Sequence, residues 1–327
     1  MDSLLKNLAP LLPHLQSGHK GAVRLFNGFF NNWPGLAVDL YGQTLLIHDL
    51  NREPNFALVQ AVGEWYSHQL PWLQYGVAKT RHAKDRSQKL GITLFGNIQP
   101  DQSITENGVT YCIDLLMNQD AGFYLDTAGL RQWLVANSHK KRVLNTFAYT
   151  GSLGVAALAG GAEQVTQLDL NMQFLKFAHQ ACAANILPAE KMKLMAMDFF
   201  QGISHLKKNG EGYDVVILDP PFFSVTQAGR VDLNHNIDRL INKVRPLVRD
   251  GGKLIVINNA LFVSGADFLN SLQSLTADGY LRIGDRIDVP QTFLGVGAGQ
   301  VSNLPTDPSP FNHSTKIIIL EITKKEP

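Results

Sequence analysis

Asp219-Pro220-Pro221-Phe222-Phe223 puts a carboxylate, two residues without an N–H donor and two aromatic rings into five positions. Consecutive prolines fix φ and remove two donors, so the backbone turns rigidly and leaves carbonyls unpaired beside the acid. Such a group can hold a planar ring that carries N–H groups. It follows a strand run, residues 214–218, continuously apolar from Val215 to Leu218, of the kind buried on both faces of a sheet. Two further acids close similar runs. Asp169, with Leu170 beside it, ends residues 164–169 and lies eighteen positions after Gly151. An acid there can take both hydroxyls of a ribose, or cap the helix that starts at Met172. Asp198-Phe199 follows residues 193–197, where an acid and a ring can hold an adenine by its amino group and face, or cap the next helix.

Asn145-Thr-Phe-Ala-Tyr149-Thr150-Gly151-Ser-Leu-Gly154 closes and continues the short strand run 142–146. Gly151 and Gly154 permit a tight turn and a close approach of ligand to backbone at a helix N-terminus. A nicotinamide dehydrogenase would favour GxGxxG in this turn, and a P-loop enzyme would need GxxxxGK[ST]; neither is present there. Gly295-Val-Gly297-Ala-Gly299 precedes Pro-Thr-Asp-Pro-Ser-Pro and follows no βαβ strand, so it reads as a flexible loop.

The elements that must position these groups alternate. Runs at 142–146, 164–169, 193–197, 214–218 and 253–258 are separated by helical stretches at 152–161, 172–185, 203–208, 239–248 and 262–276. That order predicts a parallel sheet of βαβ units, with ligands at the carboxyl ends of the strands near the point where strand order reverses. Runs at 281–287 and 316–323 have no helix between them and are expected to pair antiparallel at one edge. Residues 1–115 read as a smaller α+β module. Short extended runs at 23–26, 36–39, 44–49, 92–95 and 109–115 surround a helix over 55–70, with Phe56, Val59, Ala61, Val62 and Trp65 at helical spacing. The predicted organisation is an α+β recognition domain, 1–115, followed by an α/β domain, 116–327, with a seven-stranded Rossmann-like sheet whose last strand is antiparallel.

Composition bounds the function. The 327 residues suffice for about two domains of roughly 150 residues. At 45% hydrophobic and 17% charged residues, the chain is neither disordered nor fibrous. A net charge of +1 is unlike a globally basic nucleic-acid binder, so an acidic partner must be met by a local patch. One segment qualifies: residues 79–89 carry Lys79, Arg81, Lys84, Arg86 and Lys89 against one acid, net +4. It can neutralise phosphates in a salt-dependent way, or be a solvated loop. Cys112 and Cys182 lie seventy positions apart without a CxxC, which excludes a disulfide framework or zinc ribbon and fits a reducing compartment. No metal site is expected. The N-terminus lacks a secretory signal, and no stretch of about 18 apolar residues occurs, so the expectation is a cytoplasmic protein without membrane contact.

Residues 121–131 (AGFYLDTAGLR), 142–171 (RVLNTFAYTGSLGVAALAGGAEQVTQLDLN) and 215–223 (VVILDPPFF) resemble class I S-adenosylmethionine-dependent methyltransferases. Together with residues 24–47, they are similar to the bacterial large-subunit ribosomal RNA methyltransferases, whose members modify cytosine C5 or guanine N7. The resemblance covers roughly residues 20 to 323. It implies a methyl donor held by Tyr149 to Gly154, Asp169 and Asp198, with the segment from Phe123 through Asp126 to Thr127 folding over it. Members often carry an N-terminal PUA module, whereas about twenty residues precede the similar part here. The family's Lys-Thr-Gly and Asp-Gln-Arg are replaced by Asp120-Ala121-Gly122 and Asp126-Thr127-Ala128, and Arg131 is kept.

Methylation at cytosine C5 needs a thiolate to add to C6 of the ring. Cytosine-C5 members have a cysteine after the fifth strand, where this chain has Ile257-Asn258-Asn259-Ala260. The asparagine pair, and His313 ahead of the last strand, resemble the guanine-N7 branch. Guanine N7 already has a lone pair and needs mainly alignment. Asp219 or the Pro220 and Pro221 carbonyls can orient the N–H edge of the base, Asn258 and Asn259 can add hydrogen bonds, and Phe222 and Phe223 can stack a flipped-out base. The connection from Val289 to Asn312 lacks periodicity and is assigned to substrate recognition. The leading expectation is methyl transfer to a base of structured RNA, with a purine nitrogen ahead of cytosine carbon. The alternatives are methylation of a small molecule or protein, or donor binding without catalysis.

Overall fold

Hydrophobic clusters organise the computed structural model, which describes residues 2–31, 33–97, 99–233, 237–294 and 305–323. The chain divides into two compact units, Met1–Asp126 with Pro290–Leu304, and Thr127–Val289 with Pro305–Pro327. Among the described residues, no helix is long and apolar enough to cross a membrane.

In the first unit, α1 (Asp2–Leu8) precedes a five-stranded sheet in the order β1 (Ala22–Asn27), β2 (Leu36–Tyr41), β3 (Thr44–Asp49), β4 (Tyr75–Thr80) and β5 (Ile92–Phe95). The β3–β4 pair is parallel and the others antiparallel. A parallel step needs a crossover, and α2 (Phe56–Gln69) supplies it. Asn55 caps α2 by accepting from the Leu58 amide, and Val59, Val62 and Tyr66 bury its inner face. The Tyr66 hydroxyl donates to the Leu8 carbonyl and so ties α1 to the same core. A short helix, α3 (Arg86–Leu90), and a hairpin of β6 (Ser103–Glu106) and β7 (Val109–Cys112) follow.

Charge is buried in this sheet. Arg24 and Asp39 are directly opposed on β1 and β2, and Arg24 donates to both carboxylate oxygens at 2.7 and 2.9 Å. His48 approaches the same carboxylate at 3.3 Å. Burial alone would push the Asp39 carboxyl up, but the Arg24 guanidinium and His48 overcome it and hold it down to about 2. The Arg24 guanidinium also lies 4.3 Å from the centre of the Phe293 ring, in α10 (Gln291–Leu294). Asn27 Nδ2 donates to the Phe293 carbonyl.

The second unit begins with α4 (Ala128–Asn137) and a seven-stranded sheet. Its strands are β8 (Arg142–Thr146), β9 (Gln164–Asp169), β10 (Met192–Ala196), β11 (Tyr213–Leu218), β14 (Val248–Asn258), β15 (Leu281–Ile287) and β16 (Lys316–Ile322). A hairpin of β12 (Phe223–Thr226) and β13 (Gly229–Asp232) stands apart from it. The spatial order is β10-β9-β8-β11-β14-β16-β15, with β16 alone running antiparallel to its neighbours. Helices α5 (Ser152–Ala159), α6 (Met172–Ala184), α7 (Phe199–Lys208), α8 (Ile237–Val244) and α9 (Gly265–Ser274) connect the strands. Strand order reverses between β8 and β11, so their carboxyl ends border the crevice where such sheets bind ligands. Ile317 to Leu320 of β16 are buried, and each such side chain contributes about 2 kcal/mol.

The expected mixed architecture and antiparallel last strand are present, with differences at the boundaries. Pro246 ends α8 in a 3-10 turn, Arg245–Leu247, where the apolar spacing predicts helix to 248. Val248 already belongs to β14, which therefore runs eleven residues. Ser264 caps α9, leaving Leu261 and Phe262 outside the helix and exposed. The β12–β13 hairpin and α4 carry no periodic signal strong enough to have been expected. The connection after Val289 opens with α10, and Asn312 closes it by exchanging two hydrogen bonds with the Val289 backbone. Its glycine run, Gly295 to Gly299, lies outside the described residues.

Replacing Arg24 by Leu should leave the Asp39 carboxylate buried without its partner and cost about 3 kcal/mol in urea unfolding at neutral pH. Because the folded-state pKa of Asp39 is depressed, its stabilisation is complete above the ordinary aspartate value and is lost as pH falls towards 2. The Arg24→Leu protein should lose that part of the acid dependence, and an unchanged profile would contradict the pairing.

Candidate active site

The turn from β8 into α5 is built on left-handed backbone. Phe147, Tyr149 and Gly151 have φ of 54°, 52° and 79°, and a non-glycine residue there costs on the order of 1 kcal/mol or more. Neighbouring groups hold it. The Tyr149 amide donates to Asp169 Oδ2 at 2.8 Å, and the Ala148 amide to the Leu168 carbonyl at 3.0 Å. Phe147 stacks on Phe199 with ring centres 4.5 Å apart, and Tyr149 meets Phe174 edge-on. Thr150 is buried. Asn145 is buried on β8; its Nδ2 donates to Gln167 Oε1, and its Oδ1 has no partner among the described residues.

Asp169 and Asp198 border one cavity of about 190 Å³, together with Leu170, Phe199, Pro221 and Thr226. Asp169 accepts from the amides of Tyr149 and Asn171, so it serves the turn as well as the cavity. Burial raises the Asp169 carboxyl, and the amides of Asn171, Tyr149 and Leu170 only partly offset it. Asp198 is the cap of α7: its Oδ1 accepts from the Phe200 and Gln201 amides, and its Oδ2 from Thr226 Oγ1 at 2.6 Å. The capping alternative is thus realised, although a carboxylate offers about four lone-pair sites. Phe199 is a buried core ring that also lines the cavity. Thr226, Ser224 and Gly229 reach the cavity from the unanticipated hairpin. Gly229 fits there because a Cβ would lie 2.4 Å from the Phe200 ring.

At the end of β11, Asp219 is half-buried, Pro220 buried and Pro221 exposed. Phe222 and Phe223 are 41% and 52% exposed, and the Arg230 guanidinium lies 5.1 Å from the Phe223 ring centre. On the adjacent β14, Asn258 Oδ1 accepts from the Ala260 amide, while its Nδ2 is buried without a partner among the described residues. Asn259 is exposed. Lys316 is fully buried and donates from Nζ to the carbonyls of Ala260 and Ser314, and burial pushes its ammonium down to about 8. It braces the turn that carries Asn258 and Asn259. Sequence reasoning passed over it because a lysine opening a strand looks like an edge charge. His313 Nδ1 accepts from the Thr315 amide, within the turn before β16.

Other expected site residues lie in the first unit. Phe123 is buried, with its ring 5.1 Å from that of Tyr111 and its carbonyl accepting from Tyr41 Oη. Asp126 is half-buried and adds to the field on Arg24. The basic segment needs a correction. Lys79 is 2% exposed and donates from Nζ to the carbonyls of Asn118 and Asp120 at 2.6 and 2.7 Å. Burial pushes it down to about 8, against the pull of Asp120 and Asp114. It braces a chain turn and takes no place on a charged surface. Arg81, Lys84 and Arg86 are exposed and Lys89 half-buried, while Asp85 caps α3.

This arrangement suits an adenosyl ligand. A cavity with two carboxylates and aromatic walls can take ribose hydroxyls and an adenine amino group, and the orphaned Asn145 Oδ1 adds an acceptor beside the turn. The comparisons with known proteins agree. A family model of S-adenosylmethionine-dependent methyltransferases matches residues 23–303. Ribosomal RNA large subunit methyltransferase I of Photobacterium profundum is 30% identical over 288 residues, covering 87% of this chain and 70% of that protein. The ribosomal RNA large subunit methyltransferase of Deinococcus radiodurans is 27% identical over 280 residues, covering 84% and 68%. The Aeromonas salmonicida methyltransferase I is 29% identical over 254 residues, covering 77% and 63%, so the chain spans about two thirds of these relatives. A Streptococcus mutans structure, assigned as a SAM-dependent methyltransferase, superimposes with a TM-score of 0.82 at 23% identity over 98% of this chain and 79% of that one. That likeness shows the fold. With residues 23–303 matched and the ligand crevice at the β8–β11 switch point, the chain belongs to the S-adenosylmethionine-dependent methyltransferase family.

Proposed function

We propose that this methyltransferase modifies a base of structured RNA, in large-subunit ribosomal RNA, at a purine ring nitrogen rather than at cytosine C5. The RNA part rests on the relatives, which are named as large-subunit ribosomal RNA methyltransferases. One observation carries the choice of atom: the carboxyl ends of β11 and β14 present a carboxylate, amides and exposed rings, and no thiol. Of the chain's two cysteines, Cys182 is buried in α6 and Cys112 lies in β7, where burial pushes its thiol up. A thiol so placed is a poor nucleophile.

Asp169 takes the ribose hydroxyls of the donor, and Asp198 with Phe199 the adenine. The turn from Asn145 through Tyr149 and Thr150 to Gly151 and Gly154 holds its methionyl end. S-adenosylmethionine, when bound, supplies an electrophilic methyl group on a sulfonium. Asp219 and the proline carbonyls orient the N–H edge of the base, Asn258 and Asn259 hydrogen-bond to it, and Phe222 and Phe223 stack on its face. A purine nitrogen attacks through its own lone pair, so the protein contributes alignment and exclusion of water rather than a base. The exposed Arg81, Lys84 and Arg86, with Lys89, meet RNA phosphates, and the connection after Val289 contributes to recognition.

Mass spectrometry of ribosomal RNA nucleosides from a deletion strain beside its parent should show one methylated purine missing. Loss of 5-methylcytosine instead would overturn the choice of atom, and transfer of tritiated methyl to metabolites but not to deproteinised ribosomal RNA would overturn the RNA substrate. Reversing charge at Lys84 and Arg86 together should reduce the slope of log affinity against log salt by about 2. A slope that did not move would remove this segment from the interface.

Asp169→Ala should weaken S-adenosylhomocysteine binding about 100-fold by calorimetry, as loss of a bidentate charged acceptor does. Only the ionised carboxylate accepts from both hydroxyls, and its pKa is raised. Binding to the unaltered protein should therefore weaken as pH falls, beginning above the ordinary aspartate range. Asp169→Asn should lack this dependence.

A further inference from the structure

Gln167 lies in the middle of β9 with no exposed surface. A fully buried amide is costly unless both its ends are paired, and here they are. Its Oε1 accepts from Asn145 Nδ2 at 2.8 Å, and its Nε2 donates to the Gly151 carbonyl at 2.8 Å. Asn145 belongs to the neighbouring β8, paired directly across the sheet with Gln167. One amide therefore links the strand before the donor turn to the residue at the turn's end.

The two glycines of the turn are explained by the same side chain. A Cβ on Gly154 would lie 2.2 Å from Gln167 Nε2, and one on Gly151 would lie 2.7 Å from the same atom. Gly154 is in the first turn of α5, where nothing about helical backbone requires glycine. Its missing side chain is the space that Gln167 fills. Gly151 has a second reason, its φ of 79°.

The polar accounting around this link is uneven. Asn145 uses its donor on Gln167 and leaves Oδ1 buried without a partner among the described residues. Such an acceptor is free to receive one hydrogen bond from a ligand at the turn. Its direction is fixed by the bond on the other side of the amide, because the Gln167 acceptor selects which end of Asn145 faces it.

We infer that Gln167 is the positioning residue of the donor site: it locks the Asn145–Gly151 turn in its left-handed form and turns Asn145 Oδ1 to accept from the donor's α-ammonium group. Gln167 itself touches no ligand. Its effect is on donor affinity through Asn145 and the Gly151 carbonyl, and the methyl-transfer step is outside its reach.

The test is a cycle of variants read by calorimetric binding of S-adenosylhomocysteine, which needs no RNA and no turnover. Gln167→Leu should weaken binding about 10-fold, raise the KM for S-adenosylmethionine in proportion, and leave kcat at saturating donor within about 2-fold. Gly154→Ala should weaken binding by a similar factor. In a Gln167→Ala background, where the space is vacated, the same Gly154→Ala change should cost less than about 2-fold. Asn145→Leu in the Gln167→Leu background should add little to the loss. Gln167→Leu binding within 2-fold of the unaltered protein, or effects of Gly154→Ala and Gln167→Ala that simply multiply, would overturn the inference. Should Gln167→Leu fail to fold, the Gly154→Ala pair decides alone. Binding that Asp169→Ala left unchanged would refute the whole donor site, and the inference with it.

Discussion

A short left-handed turn after β8 is the constraint on which the proposed donor site depends. Two non-glycine residues, Phe147 and Tyr149, hold positive φ there, and a free chain would relax them into ordinary conformations. The second strand prevents this by three separate contacts. Asp169 captures the Tyr149 amide, the Leu168 carbonyl captures the Ala148 amide, and Gln167 captures the Gly151 carbonyl. Three consecutive residues of β9 thus shape a turn that follows β8, which explains why the site forms only where these two strands pair. Phe147 in turn stacks on Phe199, so the same strain also positions the ring beside Asp198.

Asp169 and Asp198 show how little separates a structural acid from a binding one. Both accept backbone amides in the way a cap residue does. The two differ in what is left over. Burial raises the Asp169 carboxyl despite its three amides, so an ionised Asp169 gains from a further donor. Both oxygens of each acid are engaged, but Asp169 accepts only backbone amides there, whereas the second oxygen of Asp198 accepts from the Thr226 hydroxyl of the hairpin. The hairpin is therefore part of the wall of the cavity, and it acts on Asp198 through the Thr226 hydroxyl rather than by direct charge.

The strands were legible where one residue type runs unbroken. Val-Val-Ile-Leu of β11 and Ile-Ile-Ile-Leu of β16 have no other comfortable place than a sheet covered on both faces. The acids at strand ends were legible for the same reason, since a charge after an apolar run marks where the sheet stops. What could not be read depends on partners distant in sequence. Lys79 looks like the first member of a charge run, yet it is the fifth residue of β4, a strand buried along its whole length. Gln167 is one of several polar residues on β9, and its meaning lies in a missing Cβ thirteen positions earlier. No residue of β12 is fully buried, so no apolar run marks the β12–β13 hairpin.

Lys79 and Lys316 solve one problem by one device. Each is a buried ammonium that braces a chain turn by donating to two backbone carbonyls, and each is pushed down to about 8 by burial. Carbonyls satisfied by a lysine leave the backbone free of the regular pairing that a strand or helix would impose. The turn carrying Asn258 and Asn259 can therefore leave β14 abruptly and still be firmly held. A braced turn suits the proposed reaction, in which the nucleophile is already present on the base and the remaining barrier is orientation. A thiol at the same place would need the opposite environment, an exposed and electropositive one that favours the thiolate. The buried Lys316, with both of its identified acceptors in the backbone, offers its charge to the turn and not to a neighbouring nucleophile.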